Sequence, residues 1–226
     1  MTSKSEQTRA RIVEAAMTLF TEQGYQATTM RAIASEAGVS VGNAYYYFSS
    51  KEHLVHGFYD ELQRRHEQAA TEALRDQSGF AERLQTTLKL WFGEAAPHRE
   101  FAIQFFKVAA DPDSPLSPLS AESAPVRERA VRQLAEVVNG SDLSMDPRLR
   151  EALPELLWLF HMGIVLFWIF DRSDDSARTR MLIDRGATLV ERLLKLSRFR
   201  LLRSTTSEIL DLLRSLGLPT VETHRP

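Results

Sequence analysis

The chain has 226 residues, of which 43% are hydrophobic and 26% charged, a balance typical of a globular protein with a sizeable core. This composition excludes a disordered, collagen-like or simple coiled-coil chain. The formal net charge of −2 provides no global positive field, so any anionic partner must be met by a local surface. The lack of cysteine excludes disulfides, thiolate nucleophiles and cysteine-bound metals.

The N-terminal sequence carries charges where an export signal would need an unbroken apolar stretch. Arg9, Arg11 and Glu14 interrupt the first twenty residues, so we expect no export signal and a cytoplasmic protein. The longest apolar run, residues 156–170, would reach only about 22 Å as a helix, which is short of the roughly 30 Å hydrocarbon core. We expect a buried helix there and no membrane partner.

Nearly every segment has helical periodicity, which predicts an all-α fold. The first four helices each have a start or stop signal. Gly24 ends the first, Thr28 or Thr29 opens a short second one that ends at Gly38, and Ser40 caps a short third one. A capping box, S-x-x-E from Ser49 to Glu52, predicts the start of a long fourth helix. The predicted helices with assigned bounds are Thr8–Gln23, Val41–Tyr47, Phe80–Ala95, Arg99–Ala110, Ser123–Val138, Pro147–Phe170, Asp174–Phe199 and Ser207–Leu216.

Prolines mark two further features of the chain. Asp146 followed by Pro147 is a favourable helix start. Pro154 removes one backbone hydrogen bond, so we expect a kink near Arg150 or a new helix that begins at Pro154. Four prolines fall within residues 111–125, which predicts one long loop.

The second and third helices, joined by a tight glycine-containing turn, are the ingredients of a helix-turn-helix. Helical spacing predicts that Ala44, Tyr45 and Phe48 pack inward. The outward face lacks the lysine and glutamate of an ordinary solvated surface. It suits a DNA groove, because a glycine permits close approach while amide and hydroxyl groups bond bases or phosphates. A packing unit without DNA function is the alternative. The predicted outward residues are Gly42, Asn43, Tyr46 and Tyr47.

The stretch TTMRAIASEAGVSVGNAYYYFSSKEHL, residues 28–54, resembles the DNA-binding domain of the TetR family of bacterial transcriptional regulators. The resemblance implies an N-terminal three-helix DNA-binding domain, residues 1–54, joined by a long helix to a C-terminal helical domain for ligand binding and dimerisation, residues 55–226. The matching residues are Thr28, Thr29, Ile33, Ala34, Ala37, Gly38, Val39, Ser40, Gly42, Tyr45, Tyr47, Phe48, Lys51, Glu52 and Leu54.

The resemblance assigns roles to single positions of the motif. It implies that residues at the start of the second helix meet the DNA backbone or a base edge, that the third helix enters the major groove, and that Tyr47 and Lys51 hold phosphates. Asn43 and Ala44 depart from the usual residues, so no operator sequence is inferred. The predicted DNA-binding residues are Thr28, Thr29, Arg31, Ser40, Gly42, Asn43, Tyr46, Tyr47 and Lys51.

The C-terminal part is rich in aromatic residues, and the resemblance implies that it holds an effector. An aromatic lining with a few polar groups is typical of small-molecule pockets, although a plain core is the alternative. His161 is interpreted either as a polar anchor for that ligand or as a core histidine. The predicted effector is small and apolar or aromatic, with the contacts Leu62, Leu88, Trp91, Phe92, Phe105, Phe106, Trp158 and His161.

Residues 181–196 carry two adjacent apolar stripes, one for the chain's own core and one for a partner helix. Together with the helix that ends at Phe170, they predict a homodimer contact that resembles the family's four-helix interface; burial within one subunit is the alternative. His53, His56 and Asp60 share a helix face, but such spacing arises by chance, so no metal or other cofactor is predicted. The predicted interface residues are Ile164, Phe167, Ile183, Ala187, Val190 and Leu194.

These patterns together predict a ligand-responsive transcriptional regulator that binds a palindromic operator as a homodimer. On the family's precedent it is a repressor that an apolar small molecule releases from double-stranded DNA. The alternatives are a transcriptional activator and a small-molecule sensor that acts through a protein partner. The lack of cysteine, of H-E-x-x-H and of a glycine-rich phosphate loop argues against an enzyme.

Overall fold

The computed structural model describes residues 4–196 and residue 215, and the described part is helical without strands. The all-α prediction is confirmed. The predicted helix Ser207–Leu216, apart from Ser215, and the end of the predicted Asp174–Phe199 helix lie outside the described residues. The α-helices of the described part are α1 Lys4–Gln23, α2 Met30–Glu36, α3 Val41–Tyr47, α4 Lys51–Ala73, α5 Phe80–Ala95, α6 Arg99–Ala109, α7 Ala124–Asn139, α8 Pro147–Phe170 and α9 Ala177–Leu196, with 3₁₀ helices at Ala96–His98 and Asp174–Ser176.

Side-chain caps begin several helices where the sequence predicts them. The side-chain oxygen of Thr29 accepts a hydrogen bond from the backbone of α2 at 3.2 Å, and that of Ser40 does the same for α3 at 3.1 Å. Asp146 accepts from the backbone N–H of Arg148 at 2.9 Å and opens α8. These caps satisfy backbone donors that the first helical turn leaves unpaired.

The start of α4 differs from the prediction by one residue. Ser50, not Ser49, is the cap, because its Oγ accepts from the backbone N–H of His53 at 3.2 Å. The predicted capping box is therefore wrong. Glu52, its expected acidic member, instead accepts a hydrogen bond from Tyr25.

Helix α8 runs through Pro154 without a break, so the expectation of a new helix at that residue is wrong. Pro154 is buried, as are Leu153 and Leu157, and this burial offsets the one lost backbone hydrogen bond. By length and composition alone α8 would suffice to cross a membrane, a test that the core helices of globular proteins also pass. The buried residues of α8, which recur from Leu149 to Ile169, fit the predicted core helix.

The chain divides into two compact units. The first unit comprises the described residues up to Arg64 together with Ala95–Val126, and the second comprises Arg65–Glu94 together with the described residues from Arg127 onward. The predicted boundary after residue 54 lies inside the first unit. In the first unit α2 packs against both α1 and α3. In the second unit α8 packs against α9.

An aromatic cluster forms much of the core of the first unit. Phe20 lies 5.2 Å from Tyr25 and 6.0 Å from Phe101, measured between ring centroids. Phe101 in turn lies 5.0 Å from Phe105 and 5.8 Å from Phe58. The cluster joins α1, α4 and α6 into one body, since such ring pairs contribute beyond the area that they bury.

The turn between α8 and α9 is organised around one buried carboxylate, Asp171. Its oxygens accept hydrogen bonds from the backbone and hydroxyl of Ser173 at 2.9 and 2.7 Å, and from the backbone and hydroxyl of Thr179 at the same two distances. Burial alone would raise the pKa of Asp171, but these four bonds hold the pKa well below its usual range. The charged carboxylate therefore stabilises the turn.

We expect Asp171→Asn to lower the free energy of unfolding by about 1 kcal/mol at neutral pH. Because the folded pKa is lowered, the contribution is present above the unfolded pKa of about 3.9 and is lost as the pH falls below it. Thermal melts of both proteins from pH 7 to pH 3 measure the difference, which should narrow below about pH 4. Asp174→Asn, at an exposed neighbouring position, is the control; equal losses in the two variants would contradict the assignment.

Candidate nucleic-acid interface and small-molecule site

Helix α3 is anchored by two residues and exposes the rest. Ala44 and Phe48 are fully buried, whereas Tyr46 is 82% exposed and Asn43 is exposed. The inward placement predicted for Tyr45 is wrong, because its side chain is 50% exposed. Residues 44 and 48, four apart on one face, take the buried direction, and position 45 is rotated about 100° away from it.

The predicted outward face is present on the surface. Gly42 is exposed, and a Cβ added there would meet no atom within 4 Å. Tyr47 is half-buried; its ring lies 5.2 Å from that of Tyr46, and its Oη is 3.2 Å from the hydroxyl of Ser5. The face therefore offers a flat glycine position, an amide and phenol hydroxyls.

Thr28, one of the predicted DNA-binding residues, does not belong to this surface. Its side chain is 1% exposed, and its hydroxyl donates to the carbonyls of Gly24 at 2.9 Å and Leu19 at 3.2 Å. Thr28 thus closes the turn between α1 and α2. Thr29 and Arg31, at the start of α2, are exposed as the prediction requires.

Lys51 has a partner within the chain. Its ammonium donates to the carbonyls of Tyr25 at 2.7 Å and Gln26 at 3.5 Å, and lies 4.5 Å from the centroid of the Tyr25 ring. The Tyr25 hydroxyl donates to Glu52 at 2.5 Å, and burial together with this bond raises the pKa of Tyr25. Lys51 therefore fixes the start of α4 to the α1–α2 turn, and one ammonium donor is left for the predicted phosphate contact.

Phe48, which directly follows α3, contacts residues of two other helices. The guanidinium of Arg9 lies 5.1 Å from the centroid of its ring, and the His53 ring lies 5.4 Å away. A Cβ added to Gly57 of α4 would come within 2.7 Å of the Phe48 ring. The orientation of α3 thus depends on a close contact between Phe48 and the backbone of α4.

Two sequence patterns match those of a serine-hydrolase nucleophile and of a metal site, and in the structure neither forms such a site. Residues 38–42 spell G-x-S-x-G, the spacing of a serine-hydrolase nucleophile, which requires a strand-to-helix turn. Ser40 instead lies between two helices, where its Oγ caps α3. Among the described residues, no group of three histidine, aspartate or glutamate side chains is placed to hold a metal ion, and His53, His56 and Asp60 form no such group.

The residues predicted to bind the effector divide between the two units. Leu62, Phe105 and Phe106 belong to the first unit, where Phe105 packs in the aromatic cluster. In the second unit the structure gathers aromatic rings around His161. Its ring centroid lies 4.5 Å from that of Trp91 and 5.8 Å from that of Phe92. The other predicted residues of this unit, Leu88 and Trp158, are buried.

Sequence reasoning missed two polar residues beside this group, His66 of α4 and Thr87 of α5. Both are buried, and His66 Nε2 lies 2.9 Å from the carbonyl of Thr87. Burial lowers the pKa of His66; burial, with a smaller effect of His66, lowers the pKa of His161 to about 3. Three side-chain atoms here lack hydrogen-bond partners: His66 Nδ1, Thr87 Oγ1 and His161 Nε2.

The predicted dimer residues lie mostly inside the single chain. Within the second unit, Gly186 is buried, and a Cβ there would approach the Phe160 ring to 2.7 Å, so α8 and α9 pack closely. Beyond Gly186 the same face of α9 is exposed, with Leu189 and Leu193 each 57% exposed. Of the predicted residues, Ile164, Ile183, Ala187 and Leu194 are buried, Val190 is half-buried and Phe167 is exposed.

Comparison with known proteins gives two family matches. The description "Bacterial regulatory proteins, tetR family" matches residues 12–57. The description "Tetracyclin repressor-like, C-terminal domain" matches residues 83–213, more than half of the chain.

Individual relatives match over short segments. The repressor KstR2 of Rhodococcus jostii is 38% identical over 90 residues, which are 38% of this chain and 44% of that protein. The regulator TtgR of Pseudomonas putida is 39% identical over 67 residues, which are 30% of this chain and 32% of that protein. The matches thus span less than half the length of these curated relatives.

Solved structures share the fold along most of the chain. A TetR transcriptional regulator from Nitrosomonas europaea has a TM-score of 0.64 at 21% identity, covering 80% of this chain and 96% of its own. The fatty acid degradation regulator FadR from Bacillus halodurans has a TM-score of 0.62 at 19% identity, covering 84% and 96%. At these identities the likeness concerns the fold.

Proposed function

The chain belongs to the TetR family of bacterial regulatory proteins, and from this membership we propose that it is a transcriptional regulator whose α3 enters the major groove of DNA. The observation that carries the proposal is the exposed face of α3, which presents Gly42, Asn43 and Tyr46 while Ala44 and Phe48 anchor the helix. An amide can pair with a base edge, and hydroxyls can donate to phosphates. The exposed Thr29, Arg31 and Ser40 flank this face and contact the DNA backbone.

The regulator acts as a homodimer on a palindromic operator. The exposed stripe of α9, Leu189, Leu193 and Leu196, together with Leu166 and Phe167 of α8, is the surface that a second copy covers. Such apolar surface on a monomer is typical of an interface. A two-fold dimer brings two recognition helices to half-sites one helical turn, about 34 to 36 Å, apart. The proposed dimer contact therefore uses the exposed leucine stripe of α9 and not the adjacent stripe that the sequence predicts.

A small apolar or aromatic effector releases the regulator from DNA, so that it acts as a repressor. The rings around His161 in the second unit support such a site. If the effector prefers a conformation in which α4 has swung, the two recognition helices no longer match the groove spacing, and operator affinity falls. The proposed location is the cytoplasm, and no membrane, cofactor or enzymatic activity forms part of the proposal.

Selection of random duplex DNA by the purified protein tests this function. The variant Asn43→Ala, Tyr47→Ala runs in parallel, with Asn139→Ala, an exposed position of α7, as the matched control. A palindrome should emerge with the wild type and the control and be lost in the double variant, while all three remain dimeric by sedimentation. If no sequence is enriched at low salt and no bound molecule can be extracted, the alternative of a sensor that docks a protein partner through α3 replaces the proposal.

The same DNA-binding measurement, repeated at several salt concentrations, should show a shallow dependence. Residues 1–54 carry five basic and five acidic side chains. Arg9 packs over Phe48, Lys51 bonds backbone carbonyls, and the exposed cations are Lys4, Arg11 and Arg31. We expect about three to five phosphates neutralised per dimer and a log–log slope of about −3 to −5. A slope near −10 would be incompatible with this surface.

A further inference from the structure

Three buried polar groups of the second unit await a partner. His66, Thr87 and His161 are only 3%, 2% and 5% exposed, and each has a side-chain atom without a hydrogen bond. Protein interiors satisfy nearly all buried polar groups, so an unpaired one requires an explanation. Three of them on contacting helices of the same unit indicate a missing occupant rather than three separate defects.

The three side chains converge from three helices. His66 of α4 approaches Thr87 of α5 directly, with Nε2 2.9 Å from the Thr87 carbonyl. Trp91 follows Thr87 by one helical turn and so shares its face of α5. The Trp91 ring contacts His161 of α8 at 4.5 Å between centroids. The charge of His66 also influences the pKa of His161, as expected for neighbouring imidazoles.

The hydrogen bond of His66 defines what its free nitrogen needs. A carbonyl oxygen only accepts, so His66 Nε2 carries the hydrogen that bonds Thr87. A neutral imidazole then has no hydrogen on Nδ1, which is a buried acceptor that requires a donor. The Thr87 hydroxyl can donate as well as accept. A group that both donates and accepts, such as a hydroxyl, satisfies both atoms at once.

Charge narrows the class of occupant. Burial lowers the pKa of His66, although the nearby carboxylates of Glu67 and Glu94 act in the opposite direction, and it lowers the pKa of His161 to about 3. At neutral pH the three side chains are therefore uncharged and cannot balance a carboxylate. Burying an unbalanced charge costs far more than burying a hydroxyl.

We propose that His66, Thr87 and His161 bind the hydroxyl group of an uncharged aromatic effector, whose O–H donates to His66 Nδ1 while Trp91 and Phe92 contact its ring. The inference rests on the proposed function, in which the second unit receives the effector. It names the effector's class as a phenol or an aryl alcohol, and it ranks an aromatic acid below them.

Four one-ring probes that differ in one substituent test the subsite on the full chain: phenol, anisole, toluene and benzoate. Titrations use protein labelled with ¹⁵N in histidine, so that the His66 Nδ1 resonance reports a new donor directly. Phenol should bind about fivefold tighter than anisole, which can accept but not donate, and about 25-fold tighter than toluene, the effects of one and of two net hydrogen bonds. Phenol should also shift that resonance, while benzoate should bind more weakly than phenol. Equal binding of phenol and toluene, preference for benzoate, no binding of any probe, or an unmoved His66 resonance would each overturn the proposal; the last result would indicate an ordered water only.

Two neighbouring threonines provide matched variants. Thr87→Val removes a hydroxyl that has no partner, so folding should be retained, and the preference for phenol over toluene should fall about fivefold. Thr86→Val removes a hydroxyl that accepts from Gln77 Nε2 at 3.1 Å, and the phenol preference should persist. Thr87→Ser should restore the preference. Equal phenol preference in the Thr87→Val variant and the wild type would contradict the subsite.

The DNA selection separates this inference from the proposed function. An enriched palindrome together with absent phenol preference overturns the subsite alone. Failure to enrich any DNA sequence from protein that carries no extractable molecule, with phenol preference intact, overturns the regulator and leaves the hydroxyl subsite standing.

Discussion

Replacing Arg83 by methionine is expected to lower the free energy of unfolding by about 3 kcal/mol. This effect is large for a basic residue on an amphipathic helix, where such residues normally lie in solvent. Its side chain is buried and donates to four backbone carbonyls. The bonds reach Leu74 at 2.9 Å and Gln77 at 2.6 Å after α4, and Glu136 at 2.9 Å and Val137 at 3.2 Å in the last turn of α7. These carbonyls lie at or just after helix C-termini, where the dipole favours a cation. Those of Leu74 and Glu136 also accept backbone hydrogen bonds, from Gln77 at 3.3 Å and from Gly140 at 3.0 Å.

Urea unfolding followed by circular dichroism measures the effect. Methionine keeps most of the aliphatic volume, so the loss reports the guanidinium and the carbonyls that it leaves buried. The Arg83→Lys variant should have an unfolding free energy between those of the wild type and Arg83→Met. One ammonium offers donors but lacks the planar spread of a guanidinium. Wild-type stability in the methionine variant would show that water replaces the guanidinium without cost.

Gly140 gives an independent readout of the same contact. A Cβ at this position would overlap the Arg83 guanidinium, so Gly140→Ala should destabilise the wild type. In the Arg83→Met background the same change should cost less, because the obstructing group is gone. A double-mutant cycle with additive effects would contradict the contact.

The sequence predicts what depends on near neighbours along the chain. The bounds of α3, α5 and α8 agree with the predicted ones, because caps and periodicity involve residues within about four positions. Prediction is less accurate where two adjacent serines are equally good caps, as at the start of α4, where Ser50 and not Ser49 bonds the helix. Both choices satisfy the same local rule, and the packing of Glu52 against Tyr25 selects between them.

Contacts between residues far apart in the chain have no comparable local signal in the sequence. Arg83 bonds carbonyls 53 and 54 residues away, and a basic residue on a helix normally indicates a solvated position. His66 meets Thr87 across 21 residues, so neither residue alone indicates the polar group beside His161. The two stripes of α9 are equivalent by periodicity, and only packing within the second unit buries Ile183, Ala187 and Leu194 and leaves Leu189 and Leu193 exposed.

Gly57→Ala is expected to weaken operator binding although Gly57 lies outside the recognition helix. A Cβ there would come within 2.7 Å of Phe48 Cε1 and 3.1 Å of the Arg9 guanidinium. The Phe48 ring is fully buried, so it cannot swing into solvent, and overpacking of this kind costs about 2 kcal/mol. Phe48 directly follows α3, so its displacement changes the orientation of Asn43 and Tyr46. The loss of one base contact should lower operator affinity on the order of tenfold.

The measurement compares operator affinity and unfolding free energy in three proteins. Gly93→Ala is the matched control, because Gly93 is exposed on α5 and an added Cβ would meet no atom within 4 Å. The unfolding free energy of this variant should rise by about 1 kcal/mol, and its operator affinity should equal that of the wild type. Adding Phe48→Leu to Gly57→Ala makes room for the new methyl group and should recover part of the DNA affinity. If Gly57→Ala binds the operator as tightly as the wild type, Phe48 does not transmit the position of α4 to α3, and the exposed face of α3 must be oriented by Ala44 and the α2 contact alone.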